Sequence, residues 1–496
     1  MIECCLQINF VKDRGLQEQL REALVTAILA GRFIQDEALP SCRSLSEQLR
    51  ISRNTVALVY EGLCADGYLI SKPRSGYYIA PQYDPEQMKA EKPVELPPES
   101  QDHAPNWDKL FKKSPSHLPT INKPSNWMKY KYPFIYGQPD TTLFPMEQWR
   151  EAARKITGSM RNHHWLHDLI DQDAPILLTQ LRNHVLPKRG IIADDSEILI
   201  TLGTQNALSL ISQLLFHRQT PIGVESPVYL EAVNAFRLQN APIIPHQVDQ
   251  EGLVLGSQSR QCRYFYVTPS HQAPTGVSMS NARRKQLFEQ AIEHDQIIIE
   301  DDFDSDTNIE QRSKPALKAH DRSGRVIYVS SLSKALAPGL RLGYIVAPTE
   351  LIDELRSLRR LTYRHPPSYI QYQMAYFLSQ GYYETFLNHY RENSAYRWGL
   401  LKHALDKHLP QCRYINTKAT AFWVEAPQEV NTQHLAWRAA HQGVLIEPGI
   451  NHFLEPSAPN NFFRLGFHAI APDKIESGII TLAQALEQEI ANHRNQ

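Results

Sequence analysis

Apolar residues recur at helical spacing through the first part of the chain. Within Leu16–Gly31, Leu20, Leu24, Ala27 and Ile28 share one face, which predicts an amphipathic helix. Ser44 precedes a second short run and predicts a helix over Leu45–Arg50 with Ser44 as its N-cap. Ile51 and Ser52 make a turn, and Ser52 caps a third predicted helix, Arg53–Asp66, on which Val56, Val59, Tyr60 and Leu63 repeat with helical period. The pattern then turns strand-like. Tyr68–Ser71 and Tyr77–Ile79 flank Lys72-Pro73-Arg74-Ser75-Gly76, a hairpin with a basic tip. Two short helices joined by a tight turn and followed by such a wing predict a winged helix-turn-helix.

Residues 81–130 are rich in Pro, Glu, Lys and Ser and predict a semi-extended linker, with Trp107, Leu110, Phe111 and Trp127 as points where it can dock. From residue 131 onward short apolar runs alternate with amphipathic stretches. The predicted strands are Ile198–Thr201, Tyr264–Val267, Ile297–Glu300, Val326–Ser330 and Gly343–Val346, with helical patterns between several of them. That alternation predicts an α/β fold with a mostly parallel sheet covered by helices. Near the end, predicted helices Tyr390–Leu409 and Lys474–Ala491 with strands Ala421–Glu425 and Phe462–Phe467 predict a smaller α+β subdomain. The expected organisation is a DNA-binding domain over residues 1–80, a linker over 81–130 and a large domain over 131–496.

Composition narrows this picture. With 496 residues the chain is too long for one core, and two or three domains are expected. The six cysteines lie at positions 4, 5, 42, 64, 262 and 412, without metal-ligand or CxxC spacing, so no metal is expected and a reducing cytoplasm fits. The N-terminus has neither the basic start nor the apolar run of a signal peptide. No apolar stretch approaches the roughly 20 residues that span a bilayer. The formal net charge is −1, so any nucleic-acid contact must come from a local patch. Arg43, Arg50, Arg53, Lys72 and Arg74 supply one, in the turn, the third helix and the wing. At the start of that helix Arg53 can donate to guanine or phosphate, Asn54 can pair bidentately with adenine, and Thr55 can meet phosphate or a thymine methyl. The candidate DNA-facing residues are Ser41, Arg43, Arg53, Asn54, Thr55, Lys72, Arg74, Ser75 and Gly76.

The large module carries a second chemistry. Ser330-Ser331-Leu332-Ser333-Lys334 follows a predicted strand, and Arg341 lies seven residues after Lys334. A desolvated lysine can form a Schiff base with an aldehyde, and Ser331 with Arg341 could hold a phosphate. Ile297–Asp302 is an apolar strand ending in carboxylates, one of which can keep a pyridine nitrogen protonated. Leu202-Gly203-Thr204-Gln205-Asn206 opens a predicted helix Ala207–Phe216, and a glycine turn into a helix N-terminus suits a phosphate. Tyr229 can stack on an aromatic ring, and Arg464 can clamp a carboxylate.

The run LPSCRSLSEQLRISRNTVALVYEGLCADGYLISKPRSGYYIA resembles the winged helix of the GntR family. The runs YGQPDTTLFPMEQW, TLGTQNAL, VESPVY, VTPSHQAPTG, IEDDFDSD, SSLSKALAPGLRLGYIVAP and FFRLGF resemble fold-type-I aminotransferases. The combination resembles the MocR/GabR regulators. This resemblance implies pyridoxal 5′-phosphate as cofactor and Lys334 as its Schiff-base lysine. It further implies Asp301 at the pyridine nitrogen, Tyr229 stacked on the ring, and Gly203, Thr204, Gln205, Ser331 and Arg341 around the phosphate. Arg464 would receive an amino-acid carboxylate. The implied partners are operator DNA, an amine or amino-acid effector and a second copy of the chain; no membrane is implied. Three positions depart from the family pattern. Phe303 stands where a tyrosine is usual, Ala273 stands where an aromatic or polar residue is usual, and the segment Leu169–Ala174 has no tyrosine. They point to a regulator that senses the cofactor or an amine rather than to the alternative, a working aminotransferase with an auxiliary winged helix.

Overall fold

The computed structural model describes residues 8–83 and 105–494, apart from 12, 35–36, 122, 159–162, 169, 308, 310–313, 416 and 456. The chain forms two compact units, residues 1–111 and 112–496. Of the segment expected to be a linker, residues 84–104 lie outside the described residues.

In the first unit, helix α1 (Leu16–Leu29) buries Leu20, Leu24, Ala27 and Ile28 against helix α3 (Arg53–Ala65), which buries Val56, Val59, Tyr60 and Leu63. Between them, helix α2 spans Cys42–Leu49 and so starts earlier than expected. Its cap is Ser41 rather than Ser44: the Ser41 hydroxyl accepts the Ser44 amide at 3.1 Å, the reach a cap needs. Ser52 caps α3 as expected, accepting the Thr55 amide at 3.0 Å. Strands β1 (Leu69–Lys72) and β2 (Gly76–Ile79) pair antiparallel to form the wing.

The second unit is built on an eight-stranded sheet. Its strands are β4 (Ile198–Thr201), β5 (Ile222–Ser226), β6 (Ile243–Asp249), β7 (Gly252–Leu253), β8 (Tyr264–Val267), β9 (Ile297–Asp301), β10 (Val326–Ser331) and β11 (Gly343–Val346), in the order β4-β11-β10-β9-β8-β5-β6-β7. The five strands β10, β9, β8, β5 and β6 run parallel, while β11 is antiparallel to both its neighbours. Strands β8 to β10 are almost wholly buried, as strands covered on both faces must be. The subdomain at the end pairs β12 (Arg413–Tyr414), β13 (Ala421–Glu425), β16 (Phe462–Gly466) and β15 (Glu447–Pro448) antiparallel, and beside it β3 (Tyr132–Pro133) pairs parallel with β14 (Val444–Leu445). Long helices Tyr382–His408 and Ile475–Arg494 pack on it. Residues 112–130 belong to this unit, and Asn234 donates to the Pro119 carbonyl at 2.8 Å.

One feature of the sheet is electrostatically costly: Glu300, Asp301 and Asp302 are consecutive and all buried. Glu300 accepts the Leu317 and Lys318 amides at 2.7 and 2.9 Å. Asp302 pairs with buried Arg189 at 2.7 Å and accepts the Tyr328 hydroxyl at 2.8 Å. Arg189 is fixed in turn by Ser270 and the Lys314 carbonyl. Removing one partner of a buried pair strands the other charge, which costs about 3–5 kcal/mol. Arg189→Ala is therefore expected to lower the unfolding free energy of the large unit by that order in urea denaturation; an unchanged midpoint would contradict this account of the pair.

Candidate functional site

Cofactor chemistry gathers where the parallel strands end. Asp301 closes β9, and Lys334 lies just beyond β10, its parallel neighbour, so sheet register brings both into one cavity. The turn between β10 and Lys334 is held by hydroxyls: Ser330 donates to the Asp302 carbonyl at 3.1 Å and Ser333 to the Leu342 carbonyl at 2.9 Å. The Lys334 ammonium donates to the Tyr136 hydroxyl and stands 3.7 Å from the Phe303 ring centroid. Burial, aided by nearby Arg464 and Lys123, pushes Lys334 down to about 8 against the pull of Asp304 and Asp301. Burial pushes Asp301 up to about 7, although the Tyr266 hydroxyl donates to its Oδ2 at 2.9 Å and Lys334 lies near. Its other oxygen, Oδ1, is buried and has no hydrogen-bond partner. A carboxylate oxygen of this kind suits a protonated ring nitrogen.

A second group of lining residues suits a phosphate. Gly203, at φ 79°, precedes the helix Thr204–Leu215. Arg341, itself left-handed at φ 52°, donates to the Leu202 carbonyl at 3.0 Å. A Cβ at position 203 would stand 3.0 Å from Arg341 Nη2, so the close approach requires glycine. Gly203, Thr204, Ser331, Ser333 and Arg341 line the cavity together. The Gln205 side chain is committed elsewhere, donating to the Glu231 carbonyl at 2.8 Å, so only its position in the first helical turn remains for an anion. Tyr229 lines the same cavity, its hydroxyl pushed by burial to about 12.

Arg464 also lines this cavity but already has a carboxylate. It stands opposite Glu447 in the β15–β16 pairing, and the two side chains meet at 2.5 Å. Burial would raise Glu447, but Arg464 and His452 (2.8 Å) outweigh it and hold the carboxyl at about 2. Arg464 lies over the Tyr136 ring at 3.9 Å.

Four residues of the site were not singled out from the sequence: Tyr136, Lys123, Tyr266 and Glu447. Tyr136 opens the run YGQPD and so carried a signal, whereas Lys123 lies in the segment that composition marks as linker. Of the departures from the family pattern, Phe303 and Ala273 both line the cavity. In the segment without tyrosine, Leu169 lies outside the described residues, and Asp173 is buried on Arg356 and Arg359 at 3.0 and 2.6 Å.

In the first unit, Ser41, Arg43, Arg53, Asn54, Lys72, Arg74, Ser75 and Gly76 are exposed and Thr55 is half-buried. Ser41 serves as the α2 cap, and Arg43 pairs with Glu47 at 3.0 Å. Arg53, Asn54 and Thr55 form the first turn of α3. In the wing, Lys72 lies over the Tyr78 ring at 4.2 Å, and the Ser75 and Tyr78 hydroxyls meet at 2.6 Å.

Comparison with known proteins agrees with both units. Residues 16–79 match the bacterial regulatory proteins of the gntR family, and residues 134–478 match class I and II aminotransferases. The chain is 36% identical to the HTH-type transcriptional regulator TauR of Rhodobacter capsulatus, over 95% of this chain and 96% of that one. It is 30% identical to the probable rhizopine catabolism regulatory protein MocR of Rhizobium meliloti, over 95% and 94%. Among solved structures, kynurenine aminotransferase of Pyrococcus horikoshii in complex with PMP superposes with a TM-score of 0.71 at 27% identity, over 79% of this chain and all of that one. The α-aminoadipate aminotransferase LysN of Thermus thermophilus, complexed with N-(5′-phosphopyridoxyl)-L-leucine, gives 0.70 at 27%, over 78% and 99%.

A lysine held near 8 is reactive when neutral, so aldehyde capture rises with pH through that value. Pyridoxal phosphate added to the purified protein, trapped with borohydride and located by mass spectrometry, is expected on Lys334 with a midpoint near pH 8. A midpoint near the roughly 10.4 of a free lysine, or an adduct on another lysine, would overturn the assignment.

Proposed function

Because the chain belongs to the transcription regulators that join a gntR-type helix-turn-helix to a class I and II aminotransferase domain, we propose that its large domain holds pyridoxal phosphate, reads an amine-bearing effector there, and changes how the N-terminal unit engages operator DNA. The observation that carries this reading is the buried, unpartnered Asp301 Oδ1 in the same cavity as Lys334 and the Gly203–Arg341 cradle. Lys334 would attach to the cofactor's aldehyde, Asp301 would meet the ring nitrogen, and Tyr229 would lie against the ring. Gly203, Thr204, Gln205, Ser331 and Arg341 would hold the phosphate. When bound, the cofactor supplies an aldehyde that condenses with amines and a protonated ring that withdraws electrons.

The chain's own groups favour holding over turnover. Lys334, near 8, can take up or release a proton near neutrality. At position 303 the lysine meets a ring face where a tyrosine hydroxyl is usual, and a hydrogen bond to a charged group is worth about 1.5–3 kcal/mol. Of the nearby phenolic hydroxyls, that of Tyr266 is committed to Asp301 and that of Tyr136 to Lys334. Likeness to aminotransferase structures at 27% identity favours a second reading, transamination. A single-turnover reaction with a panel of amino acids, followed by absorbance, separates them. Rapid conversion to the pyridoxamine form and repeated turnover with a keto acid would establish the enzyme and sink the sensor.

Residues 1–80 would act as the DNA-binding domain and 131–496 as the sensor, joined through 81–130, in a cytoplasmic homodimer on a two-fold operator. No helix among the described residues is long and apolar enough to cross a membrane. Residues 112–130 lie on the large unit, so a crossing of the DNA-binding domain to the second subunit would be made by the residues before them. A monomer in sedimentation at micromolar concentration would contradict this arrangement. Arg53→Ala is expected to cost about 1–3 kcal/mol of operator affinity if Arg53 pairs with a base, or to reduce the salt slope by about one if it meets phosphate. Gel shifts at two salt concentrations distinguish these outcomes, and unchanged affinity at both would remove Arg53 from the interface.

A further inference from the structure

Asp304, just past the end of β9, is a buried carboxylate without a cation beside it. Among the described residues no arginine or lysine is in ion-pair contact with it. The one group at such range is His271, whose Nδ1 stands 3.9 Å from Oδ2. Burial holds His271 below its usual range, so at neutral pH it leaves the carboxylate's charge unbalanced. What meets Asp304 directly is a pair of hydroxyls. Thr307 donates to Oδ1, and Thr420 donates to Oδ2 at 2.6 Å. Thr420, itself buried, leads from the carboxylate toward Lys334, because its side chain stands beside the Tyr136 phenol. A hydroxyl has one proton to give. That of Thr420 goes to Asp304, so its oxygen is left to accept from Tyr136. The Tyr136 oxygen accepts from the Lys334 ammonium, so its own proton is free for Thr420. The donors therefore all point one way, from Lys334 through Tyr136 and Thr420 to Asp304. The two ends of this chain stand on the large sheet, beyond β10 and β9. The two hydroxyls between them come from the subdomain side: Thr420 directly precedes β13, and the segment before Tyr136 is held by the Gly466 amide, which donates to the Phe134 carbonyl at 3.1 Å.

A buried charge is tolerated only when an opposite charge or strong hydrogen bonds meet it, and in a chain of aligned hydroxyls each bond polarises the next. We propose that Asp304 is the counter-charge of Lys334, acting through Tyr136 and Thr420, and that it takes up the lysine's proton when the lysine turns neutral. The proton leaves Lys334 Nζ for the Tyr136 oxygen, the Tyr136 proton moves to Thr420 Oγ, and the Thr420 proton moves to Asp304 Oδ2. The products are a neutral amine and a neutral carboxyl, so no net charge is created in the buried site. Tyr136, Thr420 and Asp304 are positioning residues, since they act through Lys334. The other charged groups around the lysine are Asp301, which adds to the pull of Asp304, and Arg464 and Lys123, which oppose it. Besides His271, Asp304 is faced by the Tyr136 and Tyr390 phenols and by His468, which burial pushes down to about 4 and so keeps neutral. The inference concerns the lysine before any cofactor arrives and so stands apart from the cofactor reading above.

The test uses the cofactor-free full chain, labelled with formaldehyde and cyanoborohydride over a series of pH values. Peptide mass spectrometry gives the labelling rate at Lys334, and its pH midpoint is the quantity read. In the wild type that midpoint is expected near pH 8. Losing a counter-charge favours the neutral amine, so Asp304→Asn is expected to lower the midpoint by about one unit or more, a tenfold change in the charged-to-neutral ratio at fixed pH. Thr420→Val, which keeps the shape but not the hydroxyl, is expected to lower it too, and Thr420→Ser to leave it near the wild-type value. In the Tyr136→Phe background, where the chain is already cut, Asp304→Asn is expected to add little. An unchanged midpoint in Asp304→Asn would overturn the proposal. So would a rise toward the roughly 10.4 of an exposed lysine, the sign expected if the carboxylate only braces the fold. An Asp304→Asn shift as large in the Tyr136→Phe background as in the wild type would show that the carboxylate acts directly and would overturn the chain.

Discussion

Three adjacent carboxylates inside one sheet are the constraint around which the large unit is organised. Each buried carboxylate would be expelled or neutralised unless something met it. Glu300 is met by backbone amides of a neighbouring segment, and Asp302 by an arginine reaching in from residue 189. Asp301, unlike its two neighbours, lines the cavity, and its Oδ1 has no hydrogen-bond partner there. The two outer residues are consumed in holding the strand end, and the middle one is left for a ligand. What separates the three is that Asp301 lines the cavity, whereas Glu300 and Asp302 turn to partners within the fold.

The same logic extends across the cavity. Lys334 is desolvated enough to approach neutrality, and Arg341 is bent into a left-handed conformation beside Gly203. Each carries a local cost that a single well-chosen molecule would relieve: an aldehyde for the lysine, a ring nitrogen for Asp301, a phosphate for the helix start. Arg464 follows the opposite course. Glu447 faces it across the strand pair and meets its charge, so Arg464's pull on an acid is set by a residue outside every recognised run.

Much of this was legible in the sequence because it depends on local pattern. The strands Ile198–Thr201, Tyr264–Val267 and Gly343–Val346 fall where their apolar runs fall, and Ser52 caps the third helix. What was not legible depends on cross-strand or cross-segment pairing. Glu447 looks like a polar residue in a short strand until the register sets it against Arg464. Lys123 sits in a Pro- and Lys-rich stretch whose composition reports only a small apolar content, not the cavity it lines. Arg189 gives no periodic signal and is buried only because Asp302 requires it. The α2 start was misjudged because three serines, 41, 44 and 46, compete as caps in sequence, and only geometry selects Ser41.

A regulator must convert binding energy into a change elsewhere, and a ligand shifts an equilibrium only by its difference in affinity between two states. The rigid parts of the site are poor candidates for that difference: β9, β10 and the Gly203 turn are fixed by sheet hydrogen bonds and close packing. Residues 112–130 are different in kind. They reach the cavity through Ile121 and Lys123, are fastened to the rest of the large unit by contacts such as Asn234 to the Pro119 carbonyl, and begin that unit on the side of the chain toward the N-terminal unit. A ligand in this cavity therefore touches a segment whose other end is covalently continuous with the N-terminal unit. Catalysis would ask the reverse of this segment, a wall that stays closed through every proton transfer. A cavity that takes part of its wall from the stretch next to the N-terminal unit has a direct route along the chain by which to report occupancy.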